Sequence, residues 1–174
     1  MNLKHLALAS AVALSAGAAY AEDFAIPVAL SPSGVEGFFS GHYGATHLES
    51  GNFTDTFYFQ TNNTSSFVDA SLITIGFSDS SDIDFTSVSL NGQSFQLTDE
   101  GNFEYAVLPR TQISGDLVLT VTGQVGNIAT AGQQVAASYG GTINLSPIPE
   151  PETYALMLAG LGVVGWMARR RRAD

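Results

Sequence analysis

The sequence predicts an all-β protein: an antiparallel β-sandwich or jelly-roll-like domain, flanked by an N-terminal signal helix and a single C-terminal transmembrane helix. Three observations predict this. From Gly51 onward, short runs rich in Phe, Val, Ile and Thr recur between turn residues, with no helical periodicity between them. A leader of charged, then apolar, then small residues opens the chain, and an apolar run fenced by prolines and arginines closes it. The 174 residues include no cysteine, so an exported domain has to hold together without disulfides.

In the leader, Lys4 supplies the positive charge and Leu6 to Ala18 the apolar stretch. Ala19-Tyr20-Ala21 then gives the small-x-small cleavage site before Glu22, with Ala19 and Ala21 as its recognition residues. The chain therefore divides into a signal peptide (1–21), an extracytoplasmic β-sandwich domain (22–148) and a C-terminal segment (149–174). Residues 24–50 read as a loosely packed entry with one strand. Strands are predicted at Phe53 to Gln60 and, after the polar turn Thr61-Asn62-Asn63-Thr64, at Phe67 to Phe77. Ile83 to Leu90 follows, and Asn91-Gly92 turns it back into Ser94 to Leu97, because both residues tolerate the positive φ of a type I′ turn. Further strands are expected at Phe103 to Leu108, Asp116 to Gly123 and Gly140 to Leu145. Ile83 and Phe85 share one face while Val88 and Leu90 fall on the other, so a one-residue bulge near Thr86-Ser87 is predicted to return all four to the core.

The domain from Glu22 to Ile148 holds thirteen carboxylates and one base, Arg110, for a net charge of −12. Such a surface repels phosphate backbones, which excludes nucleic acid as a partner.

Phe53, Asp55 and Phe57 alternate, so a strand points all three the same way and sets a carboxylate among phenyl rings. Three environments would satisfy it. Backbone N–H and hydroxyl groups of a neighbouring loop form one, a pair with Arg110 another, and water at a sheet rim the third.

The sequence offers little for catalysis, and the protein is expected not to be an enzyme and to need no cofactor. His42 and His47 read as polar loop histidines, since zinc wants more ligands and neither HExxH nor a cysteine pair occurs. No G-x-S-x-G elbow is present. Asp79, Asp82 and Asp84 are weak candidates for calcium, lacking the glycine and terminal glutamate of an EF-hand loop, and an acidic turn before a strand is the better reading. Thr54-x-Thr56 and Thr120-x-Thr122 each put two hydroxyls on a strand face, as ice-binding surfaces do, yet read as isolated pairs of ordinary strand threonines. Gly160-Leu161-Gly162-Val163-Val164-Gly165 fits G-x-G-x-x-G, but no βαβ unit follows to make it a dinucleotide fingerprint.

Tyr154 to Ala168 is a fifteen-residue apolar run, predicted to be the transmembrane helix 154–168. Its helical length of about 22 Å against a hydrocarbon core of about 30 Å calls for bilayer thinning, with Tyr154 and Trp166 at the interfaces. Arg169, Arg170, Arg171 and Arg172 act as the stop-transfer cluster and hold the C-terminus inside. Upstream, Pro147 to Pro151 favours an exposed, extended tether that cannot pair as a central strand.

Pro149-Glu150-Pro151, the glycine-bearing apolar helix and the arginine cluster together resemble a PEP-CTERM sorting signal, also labelled the "ice-binding protein C-terminal" motif. The resemblance implies recognition of Pro149, Glu150 and Pro151 by exosortase, a transpeptidase-like enzyme of Gram-negative bacteria that make exopolysaccharide. It further implies a transient anchor in the cytoplasmic membrane, cleavage near the motif, and passage to the cell surface or biofilm matrix. Phe53, Asp55 and Phe57 match the name motif of the FxDxF group of such proteins, and Asp84-Phe85-Thr86-Ser87-Val88 with Leu90-Asn91-Gly92 is also similar. The expected role is that of a non-enzymatic surface or matrix protein associated with exopolysaccharide. An extracellular carbohydrate-binding or calcium-dependent adhesive module is the alternative.

Overall fold

The computed structural model describes residues 21–61, 65–126, 130–148 and 151–171. The signal helix, the turn at 62–64, the motif residues Pro149 and Glu150, and Arg172 lie outside the described residues. Eleven strands and one helix follow in order: β1 (Ala25–Val28), β2 (Ser31–Pro32), β3 (Phe39–Glu49), β4 (Gly51–Phe59), β5 (Ser65–Ile75), β6 (Ile83–Leu90), β7 (Gln93–Ser94), β8 (Gln96–Leu97), β9 (Phe103–Ser114), β10 (Leu117–Val125), β11 (Gln134–Pro147) and α1 (Pro151–Arg171). They form two sheets, the first ordered β1-β4-β10-β6-β7 and the second β2-β3-β11-β5-β9-β8.

One apolar core fills the space between the sheets. Phe53, Phe57, Phe59, Leu119, Val121, Ile83 and Leu90 enter it from the first sheet, and Val68, Leu72, Ala106, Leu108, Ile143 and Leu145 from the second. The alternation that predicts β4 is complete: every odd residue from Gly51 to Phe59 is buried. Asn91 (φ 47°) and Gly92 (φ 80°) make the predicted two-residue turn between β6 and β7. The predicted bulge is present: Thr122 faces Ser87 and Gly123 faces Phe85, leaving Thr86 as the extra residue. Ile83, Phe85, Val88 and Leu90 are all buried as a result.

Several expectations are corrected. The entry segment forms three strands rather than one, and β3 is eleven residues long. β9 does not stop at Leu108. It absorbs Pro109 in a register shift opposite Asp69, where a residue without an N–H costs no ladder bond, and runs on to Ser114. Pro147, expected in an unpaired tether, closes β11 opposite Ser66. The sandwich is not wholly antiparallel, because β1 runs parallel to β4.

Gly141 shows how tightly β11 is packed. A Cβ there would overlap the Ser71 carbonyl oxygen and stand 2.6 Å from the Tyr43 ring, whose hydroxyl donates to that same oxygen at 2.9 Å. Gly141→Ala is expected to cost about 2–3 kcal/mol in urea unfolding, the scale of core overpacking.

Candidate functional site

The strongest polar constellation of the domain is built on Asp55. Its position in β4 points it inward between Phe53 and Phe57, and it is fully buried. Phe24 N–H donates to Oδ1 at 3.0 Å. From the second sheet, the Tyr139 hydroxyl donates to Oδ2 at 2.5 Å and His47 Nε2 meets the same oxygen at 3.0 Å. The carboxylate thus ties β4 to β3, to β11 and to the segment entering β1. Aromatic rings seal it: His47 lies 4.2 Å from Phe53 and 5.3 Å from Phe24 between ring centroids, and Phe57 lies 5.2 Å from Tyr43. Burial and the neighbouring carboxylate raise Tyr139 well above the ordinary phenol range, which keeps its proton in place as a donor.

Of the three environments open to Asp55, the one found is nearest to backbone N–H plus hydroxyl, but the hydroxyl comes from Tyr139 of strand β11 and not from a loop. The imidazole is an addition. Arg110 instead stacks on Phe67, its guanidinium carbon 4.5 Å from the ring centroid, and a solvated rim is excluded by complete burial. His47 is accordingly not a loop histidine: it sits in β3 at 0% exposure, in phase with Tyr43. His42, on the opposite face of the same strand, is exposed.

A second polar group joins the sheets at one end. Glu104 projects inward from β9, accepting Phe85 N–H beside the β6 bulge at 2.9 Å and Gly101 N–H at 3.0 Å. Burial pushes Glu104 up to about 7, and the neighbouring Asp84 carboxylate raises it further. Asp82 is raised as well, by burial first and then by Asp84 and Asp79. Asp84 is thus buried beside Glu104 and Asp82 is buried next to Asp84, whereas Asp79 lies in the exposed turn before β6. Among the described residues, no group of three or more His, Cys, Asp or Glu side chains is placed to hold a metal ion. Sequence reasoning missed Glu104, although its phase with the buried Ala106 and Leu108 was legible.

Beyond β11 the chain changes character. α1 exposes Leu156, Leu158, Leu161, Val164 and Trp166, and Arg170 stacks 5.6 Å from the Trp166 ring centroid. The G-x-G-x-x-G glycines lie inside this helix. Residues 147–172 match the family model of the PEP-CTERM protein-sorting motif. The chain carries a PEP-CTERM sorting motif. The motif marks an exported protein whose processing partner is exosortase, and that processing is membrane-associated. Comparison with curated proteins gives no match, and comparison with solved structures gives none either.

The expectation of a transmembrane helix is corrected. No helix among the described residues is long and apolar enough to cross a membrane. The 21 residues of α1 begin with Pro151-Glu152-Thr153 and end in arginines, which leaves an apolar stretch of about 22 Å against about 30 Å of hydrocarbon. In the PEP-CTERM segment of this chain, Pro151 opens α1, while Arg169, Arg170 and Arg171 form its last turn, where positive charge complements the helix dipole. Ala21 of the predicted leader cleavage site is described. It is 3% exposed and its N–H bonds to the Asn52 carbonyl at 2.9 Å. Ala19 lies outside the described residues.

Proposed function

We propose that the protein is a non-enzymatic β-sandwich of the FxDxF group, exported by a cleaved signal peptide (1–21) from a Gram-negative cell. Exosortase then sorts it to the cell surface or extracellular matrix, where the domain associates with exopolysaccharide. The observation that carries this reading is the sorting motif at residues 147–172, which begins at the final residue of the last strand of the sandwich. The Asp55 constellation supports a structural reading of the Phe53-x-Asp55-x-Phe57 triplet. Both Asp55 carboxylate oxygens are spent on holding the two sheets and the entry segment together, and the aspartate and imidazole are fully buried. α1 stands uncovered, as a segment handed to a membrane enzyme has to be.

Fractionation of wild type against Pro149→Ala/Glu150→Ala tests the sorting step. The wild type is expected in the surface and matrix fraction, with the variant retained as an unprocessed, membrane-associated precursor of higher mass. Equal delivery of both to the surface and medium overturns it.

A further inference from the structure

The two threonine pairs are not isolated. Thr54 and Thr56 lie in β4 and Thr122 and Thr120 in β10, and the register sets Thr54 opposite Thr122 and Thr56 opposite Thr120. On the other side of β10, Ser87 faces Thr122 and Ser89 faces Thr120, and Ser94 of β7 continues the second row. These side chains share the outer face of the first sheet, since their strand neighbours Asp55, Val121 and Val88 are buried in the core. The result is a grid of hydroxyls spaced by about 4.8 Å between strands and about 6.8 Å along them.

None of these seven hydroxyls has a hydrogen-bond partner among the described residues, so both their donor and acceptor capacities face outward. The second sheet differs. On its outer face Thr46 pairs with Ser138 at 2.8 Å, Ser71 with Thr142 at 3.4 Å, and Asn144 with Asp69 at 2.9 Å. The grid is also free of charge, on a domain whose net charge is −12. At its edge Asp23 is already engaged, accepting Thr54 N–H at 2.6 Å. A shallow cavity of about 380 Å³ lined by Asp23, Thr54, Thr86 and Thr122 indents one end. At the other end Tyr58, in phase with Thr54 and Thr56, presents a ring that is 46% exposed beside Pro27 and Val118.

We propose that this face binds a neutral polysaccharide, a refinement that rests on the matrix reading above. Sugar hydroxyls donate and accept in equal measure, as the grid does, and the apolar face of a pyranose ring stacks on an aromatic side chain such as Tyr58. The lack of charge disfavours a polyanion. Adjacent strands rotate by roughly 20° relative to one another, which suits a flexible, twisted polymer and spoils the planarity that an ice lattice demands.

The test is affinity electrophoresis of the full chain in mild detergent, through native gels containing dextran, hydroxyethyl cellulose or the polyanion alginate. Retardation by a neutral glucan is expected. Thr120→Val/Thr122→Val keeps the β-branched shape and removes the central hydroxyls, and it is expected to weaken binding about tenfold. Ser87→Ala/Ser89→Ala provides a second variant if the first does not fold, and Ser138→Ala on the second sheet is expected to bind like wild type. Retardation unchanged in the grid variants overturns the assignment of this face while the matrix reading survives. No retardation by either glucan, retardation by alginate alone, or ice-crystal shaping by the wild type without glucan binding overturns the proposal of a neutral polysaccharide ligand.

Discussion

Asp55→Ala is expected to lower the unfolding free energy by about 4 kcal/mol, the scale of removing one partner from a buried, hydrogen-bonded charge cluster. Three groups lose their partner at once: Phe24 N–H, the Tyr139 hydroxyl and His47 Nε2. The Tyr139 hydroxyl and the imidazole are then left dry among aromatic rings, and His47 already has a buried Nδ1 with no hydrogen-bond partner among the described residues. A domain of this size has about 5–15 kcal/mol in total, so the variant is expected near the edge of folding at body temperature. Asp55→Asn keeps one acceptor and is expected to lose about half as much, with Tyr139→Phe costing about 1–3 kcal/mol. Urea unfolding followed by Tyr fluorescence and far-UV circular dichroism measures all three. Asp55→Ala within about 1 kcal/mol of wild type would refute the clamp. Because Arg110 is spent on Phe67, Asp55→Asn and Arg110→Gln are expected to be additive within about 0.5 kcal/mol.

Glu104 is expected to make the protein more stable in mild acid than at neutral pH. Its folded pKa of about 7 lies above the model-compound value of 4.5. Between those values the folded state holds a proton that the unfolded chain has released, so stability falls as pH rises. The contribution is complete below about 4.5 and gone once the pH has passed through about 7. Asp84 neighbours Glu104 and also raises Asp82, which acts in the same direction, so the informative measurement is a difference. Melting temperatures from pH 4.5 to pH 8 are expected to fall more steeply for wild type than for Glu104→Gln, by roughly 5 °C across the window. Parallel curves would show that Glu104 carries no proton into the folded state.

What the sequence revealed and what it concealed follow from the range of the interactions. The β6–β7 hairpin and the Thr86 bulge rest on the phase of neighbouring residues, and both were legible. The burial of Asp55 was legible too, because alternation in β4 is local. Its partners were not, since His47, Tyr139 and Phe24 come from three other parts of the chain. β3 was hidden by its own composition: Gly41, His42, Gly44 and His47 imitate a loop, although Gly41, Tyr43 and His47 alternate with exposed residues once the strand is recognised. The hydroxyl grid could not be read in advance because it depends on β4 and β10 being neighbours, and sheet order is a long-range property. The sorting motif lies at the other extreme. Every part of it is contiguous, so it was readable in full, whereas the inability of its helix to span a bilayer follows from its length.

The burial of Ala21 bears on the order of the proposed maturation. A peptidase grips an extended, accessible stretch, yet in the folded domain Ala21 is sealed against Asn52, and Phe24, three residues on, is held by Asp55. Under the proposed leader cleavage after Ala21, that bond is open to scission only before this segment docks. On that proposal leader removal precedes closure of the sandwich, and a chain that folds first is expected to keep its leader.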